Sequence, residues 1–191
     1  SKKKLDEKMA DDKVRVGSAI EHYKRLAMGK KNICFNTSIR DAESTAEQFR
    51  EAGIPTAAVY GKLGDDEIKR RVRALARGEL LCLTSVEILT FGFDLSSAAG
   101  MDVTVESLSM MRPTESRALA GQMWGRALRK KNFPAIIMDH AGVSGSFGMP
   151  DAPQNWTLEG REKTAGEGKE RTIPVRQCEK CYGVMRPCPS C

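Results

Sequence analysis

The chain has 191 residues, of which 40% are hydrophobic and 29% are charged, and its formal net charge at pH 7 is +6. This length and composition are typical of one globular domain with a small appendage, and the positive charge favours an anionic partner. No apolar run is long enough to cross a membrane and we find no secretory signal peptide, so we expect a cytoplasmic protein without a membrane partner.

Helix-like and strand-like segments alternate between residues 17 and 140. Apolar residues at helical spacing predict helices within 17–28, 38–53, 65–78 and 113–129. Short runs between these segments predict strands, and the first of them has no amphipathic alternation, which predicts a strand buried on both faces. The predicted strands are Asn32–Thr37, Thr56–Tyr60, Leu80–Thr84, Met101–Leu108 and Phe133–His140. Residues 85–96 are expected to form a loop or a short helix.

This alternation predicts an α/β fold for residues 17–140, with a mostly parallel sheet and helices on both of its faces. In such a sheet, ligands gather beyond the carboxyl ends of the strands. We therefore expect Thr37, Thr84 and the helix that carries Gln122 to act from one edge of the sheet.

The two ends of the chain differ in composition from this region. Residues 1–16 are predicted to be a basic tail or linker. Residues 141–176 are rich in glycine, proline and charge, which predicts an extended tail that continues into a linker. Residues 177–191 contain a cluster of four cysteines.

The terminal cysteines have the spacing of metal ligands. Two C-x-x-C pairs can supply four thiolates to one tetrahedral Zn²⁺, so this segment predicts a small four-cysteine zinc knuckle. A pair of disulfides and a redox-active C-x-x-C pair remain alternatives. The predicted zinc ligands are Cys178, Cys181, Cys188 and Cys191.

The remaining cysteines and both histidines are expected to be structural. Cys34 and Cys82 lie within predicted strands, where a thiol is usually buried and unreactive. His22 is expected to be exposed on the first helix. His140 ends the last predicted strand, but no nucleophile accompanies it in a catalytic arrangement.

The segment Gln122–Arg129 reads Q-x-x-G-R-x-x-R and contains the main candidate functional residues. Arg126 and Arg129 are three residues apart, which would place them on one face of a helix, with Gln122 one turn earlier. Guanidinium groups bind phosphate oxygens well, and Gly125 would leave room for a close approach. A solvated basic helix end is the alternative for this segment taken alone.

Four segments, in this order, resemble the motifs of the second RecA-like domain of superfamily 2 helicases, and most closely the DEAD/DEAH-type helicases found in phages and prophages. Phe35–Ser38 resembles motif IV, and Tyr60-Gly61 resembles the family segment that follows it. Thr84-Ser85 with Leu89–Asp94 resembles motif V, and Gln122–Arg129 resembles motif VI. The resemblance covers roughly residues 15 to 140 and implies a three-layer RecA-like fold in a bacterial or phage-encoded protein.

Two positions depart from the family pattern. Ser85 stands where many members have aspartate, and Phe91 stands where a glutamate or arginine often precedes the glycine. These departures affect individual contacts with nucleotide or nucleic acid rather than the assignment of the domain.

The resemblance implies a role in ATP hydrolysis for five residues. Arg129 would be an arginine finger and Arg126 its partner on the phosphates, while Gln122 would orient the attacking water or the γ-phosphate. Gly92 would allow close backbone approach, and Asp94 would bind the ribose or hold the two arginines. Gly92-Phe93-Asp94 taken alone is as consistent with an ordinary turn.

The resemblance also implies a track for a single nucleic-acid strand, with DNA favoured over RNA. Side chains and backbone groups along this track would bind phosphates without reading the sequence. Thr84 taken alone is more often a simple strand-end residue. The predicted nucleic-acid contacts are Thr37, Ser38, Gly61 and Thr84.

The sequence contains neither a G-x-x-x-x-G-K-[ST] phosphate loop nor a D-E-x-[HD] metal motif. We therefore expect the C-terminal half of an ATP-dependent helicase or translocase, inactive alone, whose Mg²⁺ and phosphate loop belong to an N-terminal RecA-like domain of the same protein. A non-catalytic nucleic-acid-binding module and an unrelated nucleotide-binding α/β protein are the alternatives.

Overall fold

The computed structural model describes residues 13–89 and 93–152. The chain divides into two compact units, residues 1–141 and residues 142–191. The predicted knuckle at residues 177–191, most of the predicted tail and Gly92 lie outside the described residues. Within the described ranges, no helix combines the length and apolar character needed to cross a membrane.

Five strands form one sheet in the order β2-β3-β1-β4-β5, and all neighbouring strands are parallel. The strands are β1 (Asn32–Phe35), β2 (Thr56–Tyr60), β3 (Cys82–Val86), β4 (Ser107–Met110) and β5 (Ile136–Asp139). Among its described residues, the first unit contains the helices α1 (Lys13–Leu26), α2 (Ile39–Glu51), α3 (Asp65–Arg77), α4 (Leu95–Ala99) and α5 (Arg117–Gly125). In the second unit, the described residues include α6 (Val143–Phe147).

Residues on both faces of the sheet are buried. On one face, Cys34, Cys82 and Met138 pack with residues of α1 and α2 such as Tyr23 and Phe49. Strand residues of the opposite face, such as Ile33 and Leu83, have no exposed surface, and α3 contacts β2 and β3. This arrangement confirms the predicted α/β fold with helices on both faces of a parallel sheet.

Some predicted boundaries differ from those in the structure. α1 begins at Lys13, four residues before the predicted start. The predicted strand Met101–Leu108 is wrong over residues 101–106, because Val103 and Val105 are buried but lie in irregular backbone. Ladder pairing begins only at Ser107, which aligns with Asn32 of β1. An apolar run therefore revealed burial here but not the strand itself.

Candidate functional site

A buried carboxylate organises the loop between β1 and α2. Asp41 has no exposed surface, and its Oδ2 accepts hydrogen bonds from the Thr37 amide at 3.0 Å and from the Thr37 hydroxyl at 3.1 Å. Its Oδ1 lies 2.7 Å from an Arg15 guanidinium nitrogen, and Arg15 also donates to the carbonyl oxygen of Met111 at 3.1 Å. We call Asp41, Thr37, Arg15 and the Met111 carbonyl the Asp41 cluster.

Ser38 caps the N-terminus of α2. In the sequence, Ser38 with Asp41 three residues later is a variant of the capping box, which predicts a helix start here. The Ser38 hydroxyl oxygen accepts a hydrogen bond from the Asp41 amide at 3.2 Å. Because Ser38 and Thr37 both form hydrogen bonds with Asp41, these bonds restrain the loop at the end of β1. Both residues are half-buried, so the loop still has an accessible surface.

Thr84 lies deeper than the sequence predicts. Its side chain has no exposed surface, and its hydroxyl donates to the carbonyl oxygen of Ala42 at 2.8 Å. The hydroxyl therefore links β3 to α2 inside the domain and is not presented to a ligand. The predicted contact of this side chain with nucleic acid does not fit its buried position. The sequence could not reveal this burial, because strand spacing does not show which helix covers a strand.

Gly61 lies at the carboxyl edge, the edge of the sheet at which the strands end. It is exposed, and a Cβ added there would meet no atom within 4 Å. It lines an open cavity of about 660 Å³ together with Tyr60 and Val86, which end β2 and β3, and with Glu87 and Phe93, which follow β3. The carboxyl edge therefore offers an open surface beside the loop that contains Thr37.

The predicted placement of both motif VI arginines on one helix is wrong. α5 ends at Gly125, Arg126 is its C-cap, and Arg129 lies beyond the helix. The amides of Ala127 and Leu128 both donate to the carbonyl oxygen of Trp124, at 3.0 and 3.1 Å, which tightens the last turn. Gly125 also has a low helix propensity, so it favours a helix end here.

The two arginines nevertheless meet the segment that follows β3. Arg126 Nη1 donates to the carbonyl oxygen of Phe93 at 2.5 Å. Arg129 Nη1 lies 3.9 Å from Asp94 Oδ1, and the same carboxylate oxygen caps α4 by accepting from the Ser96 amide at 3.0 Å. The structure therefore brings together Asp94, Arg126 and Arg129, whereas Gln122 is exposed on α5.

The electrostatics of this group suit an anionic ligand. Burial lowers the pKa of Arg126, the nearby Arg129 lowers it further, and Asp94 partly opposes both effects. The side chain of Arg129 is 56% exposed and its ion pair with Asp94 is long, so Arg129 can turn toward a ligand at low cost. A Cβ at Gly125 would meet no atom within 4 Å, so the adjoining surface is open.

A triphosphate fits this donor set, since two adjacent guanidinium groups match phosphate oxygens. Within residues 13–89 and 93–152, no group of three or more His, Cys, Asp or Glu side chains could hold a metal ion. The described part of the chain thus has guanidinium groups that can bind phosphates but no cluster of carboxylates that could hold Mg²⁺.

Sequence reasoning missed three charged residues at or near the site. Arg15 stands in a segment that reads as a tail, yet it belongs to the Asp41 cluster. Arg112 follows β4 and lies 3.6 Å from Glu87, which follows β3. Glu87 has a φ of 61°, which is uncommon for a residue with a side chain. Only the proline after Arg112 marks that position as unusual.

Comparison with known proteins gives one family match. Residues 15–131 match the family described as the helicase conserved C-terminal domain. The match includes every strand from β1 to β4 and the whole of α5. It therefore covers the described candidate residues, from Thr37 to Arg129.

Individual relatives are more distant. A 51.5 kDa protein of a Lactococcus phage (isolate 7-9) is 29% identical over 171 residues, which are 88% of this chain and 36% of the relative. The putative ATP-dependent helicase IRC3 of Saccharomyces cerevisiae is 28% identical over 134 residues, 69% of this chain and 18% of the relative. This chain thus spans about a third or less of the length of these relatives.

A solved structure shares the fold. The C-terminal domain of the DEAD-box protein Dbp5 superposes with a TM-score of 0.57 at 15% identity, over 70% of this chain and 78% of that domain. At this identity the likeness concerns the fold alone.

Proposed function

This chain belongs to the helicase conserved C-terminal domain family, and from that premise we propose that it is the second motor domain of an ATP-dependent superfamily 2 helicase or translocase. The observation that carries the proposal is the meeting of Arg126 and Arg129 with Phe93 and Asp94 on an open surface. ATP would be the substrate, and its phosphates would lie between this domain and a neighbouring one.

Arg126, Arg129 and Asp94 of this group, together with Gln122 and Gly92, have roles in the proposed reaction. Arg129 is the arginine finger that stabilises the charge that develops on the γ-phosphate, and Arg126 binds the phosphates beside it. Gln122 orients the attacking water or the γ-phosphate. Asp94 holds Arg129 until the nucleotide binds, or accepts a hydrogen bond from the ribose. Gly92, which precedes this segment, would allow the nucleotide to approach the backbone.

The other half of the site belongs to an N-terminal RecA-like domain of the same protein. That domain would hold Mg²⁺ and the phosphate loop, for which this sequence has no motif. Closure of the two domains around ATP would bring Arg129 to the γ-phosphate, and hydrolysis would release it. The length of the two relatives, of which this chain covers 36% and 18%, is consistent with such a partner domain.

A single nucleic-acid strand would run along the carboxyl edge. Ser38 offers a hydroxyl whose oxygen accepts from the Asp41 amide and whose hydrogen can still donate to a phosphate, and Gly61 offers open backbone. Thr37 donates both its amide and its hydroxyl hydrogen to Asp41, so it would release one of these bonds to bind a phosphate. Thr84 would support this track from within by fixing α2, rather than by touching a phosphate. Contacts of this kind position a strand without reading its sequence.

DNA is the favoured nucleic acid, and the protein would be cytoplasmic and encoded by a phage or a bacterium. The Lactococcus phage relative supports this origin. The preference for DNA rests on the resemblance to helicases of phages and prophages.

The cysteine segment would bind one Zn²⁺ through Cys178, Cys181, Cys188 and Cys191. Its support is the spacing of the two C-x-x-C pairs, which suits a tetrahedral four-thiolate site. The knuckle would hold the tail or contact nucleic acid.

ATP hydrolysis by two proteins tests the motor proposal. We expect the longer protein that contains this chain and its N-terminal motor domain to hydrolyse ATP, and single-stranded DNA to stimulate it. The 191-residue chain alone should hydrolyse none above background, because it lacks a phosphate loop. Hydrolysis of ATP by the chain alone would contradict the proposal. The finding that the longer protein has no phosphate-binding domain would contradict it as well.

A further inference from the structure

The structure points to a further phosphate-binding residue that no motif includes: we infer that Arg112 binds the backbone of the nucleic-acid strand and that Glu87 holds Arg112 in its absence. This inference rests on the proposed nucleic-acid function of the carboxyl edge. It adds one cation to a track whose other predicted members are neutral. The ligand is the phosphodiester backbone, which DNA and RNA share.

The register of the sheet places this ion pair over the end of β1. Phe35, the last residue of β1, aligns with Ser85 of β3 on one side and with Met110 of β4 on the other. Glu87 lies two residues after Ser85, and Arg112 lies two residues after Met110. Neighbouring strands lie about 4.8 Å apart, so β3 and β4 are roughly 10 Å apart with β1 between them. An ion pair that joins the residues after β3 and β4 therefore crosses the carboxyl end of β1.

The same cluster fixes both Thr37 and the backbone that leads to Arg112. Arg15 donates to the carbonyl oxygen of Met111, the residue before Arg112, and to the Asp41 carboxylate that holds Thr37. Arg112 is also followed by proline, which restricts its own backbone to extended conformations. Arg112 is thus positioned relative to Thr37 by structure rather than by chance proximity.

The ion pair is built so that it can open. Its N–O distance is 3.6 Å, and the exposed fractions of the side chains are 21% for Arg112 and 64% for Glu87. Glu87 has a φ of 61° and lines the cavity that also contains Gly61. A carboxylate this exposed can give way to a phosphate, which a guanidinium binds through two parallel hydrogen bonds. Until then, Glu87 places a negative charge where a phosphate would lie.

Binding of the 191-residue chain to fluorescent oligo-dT and oligo-U, measured by anisotropy at several salt concentrations, tests this inference. Arg112→Gln should weaken binding about tenfold. It should also lower the slope of log affinity against log salt by about 0.7, because one phosphate contact to a single strand is lost. Glu87→Gln should strengthen binding about threefold, since it removes a competing charge.

The chain offers a matched control in another exposed ion pair, Arg77 and Glu79, 3.7 Å apart with exposed fractions of 58% and 59%. Glu79→Gln changes the net charge as Glu87→Gln does, but away from the carboxyl edge, so it should leave affinity almost unchanged. Arg112→Lys keeps the positive charge, so it should keep the salt slope of the unmodified chain. It therefore separates loss of the charge from any loss of thermal stability in Arg112→Gln.

The outcomes separate this inference from the function on which it rests. If the unmodified chain binds either oligonucleotide and both Arg112 variants bind equally well with the same salt slope, Arg112 is not a phosphate ligand, while the nucleic-acid function stands. If Glu87→Gln and Glu79→Gln have equal effects, Glu87 does not hold Arg112. If the unmodified chain binds neither oligonucleotide, both the inference and the nucleic-acid function are wrong.

Discussion

At the scale of single residues, Asp41 shows how one buried carboxylate can shape a binding loop. Only 1% of its side chain and 9% of the Arg15 side chain are exposed, so the pair is removed from water. Removing one partner of such a pair leaves a buried charge unpaired, which costs about 3–5 kcal/mol. The arrangement is therefore costly to disturb, and it fixes Thr37 at the surface where the proposed strand would pass.

The environment of His140 should make the stability of the domain depend on pH. His140 stacks on His22, with ring centroids 5.2 Å apart, so the expectation that His22 is exposed on the first helix is wrong. Burial, followed by the neighbouring His22, lowers the pKa of His140 to about 4. A histidine in the unfolded chain titrates near 6.5. Between these two values the unfolded chain takes up a proton that the folded chain does not.

The free energy of unfolding should therefore be greatest above pH ~6.5 and should fall as the pH drops toward ~4, by up to about 3 kcal/mol for this residue. His140→Phe should flatten this dependence. The Nε2 atom of His140 has no hydrogen-bond partner among the described residues, so the change breaks no bond there. Urea unfolding of both proteins at pH 7 and pH 5 measures the difference. If the free energy of unfolding falls equally between pH 7 and pH 5 in both proteins, His140 is not the source of the pH dependence.

At the scale of the elements, capping residues were the most reliable guide in the sequence. Ser38 and Asp41 predict the start of α2. A glycine at position 78, after the last apolar residue of the predicted helix, predicts the end of α3, where Gly78 adopts a φ of 78°. Periodicity predicted that α5 exists but not that it ends at Gly125, because helix ends depend on backbone hydrogen bonds that leave no pattern. For the same reason Arg129 was predicted on the helix and lies beyond it.

Contacts between distant segments could not be predicted from the sequence. The burial of Thr84 depends on its neighbour Ala42 in α2, and the position of Arg15 depends on Asp41, 26 residues later. Motif spacing predicts which edge of the sheet carries the site. It does not predict which side chains at that edge are turned inward.

Replacing Gly125 with alanine should have opposite effects on the stability of the domain and on ATP hydrolysis. The φ of Gly125 is not positive and a Cβ there would meet no atom within 4 Å, so Gly125→Ala should stabilise the domain by about 0.5–1 kcal/mol. The added methyl would protrude where the nucleotide is proposed to approach, so ATP hydrolysis by the longer protein should fall. Gly17→Ala, at an exposed and equally open position in α1, is the matched control. It should raise thermal stability similarly and leave hydrolysis unchanged; equal activity of both variants would contradict the role of Gly125.

At the scale of the whole molecule, the proposed function assigns to this domain one part of a catalytic site rather than a complete one. The domain has a guanidinium pair on an open surface, and its described residues include no metal-ligand cluster. Its net charge of +6 favours association with a polyanion and makes binding sensitive to salt. This combination is what a domain needs if it completes a nucleotide site on a neighbour while it holds a nucleic-acid strand.

The most direct test of this account is the kcat for ATP hydrolysis by the longer protein, with single-stranded DNA present, after Arg129→Ala. Lys130→Ala is the control, because it removes a neighbouring exposed cation that has no assigned role. If Arg129 is the arginine finger, its loss should reduce kcat by roughly a thousandfold or more, since it stabilises charge in the transition state. The control should stay within about twofold of the unmodified protein. A kcat for Arg129→Ala equal to that of the control would contradict the account.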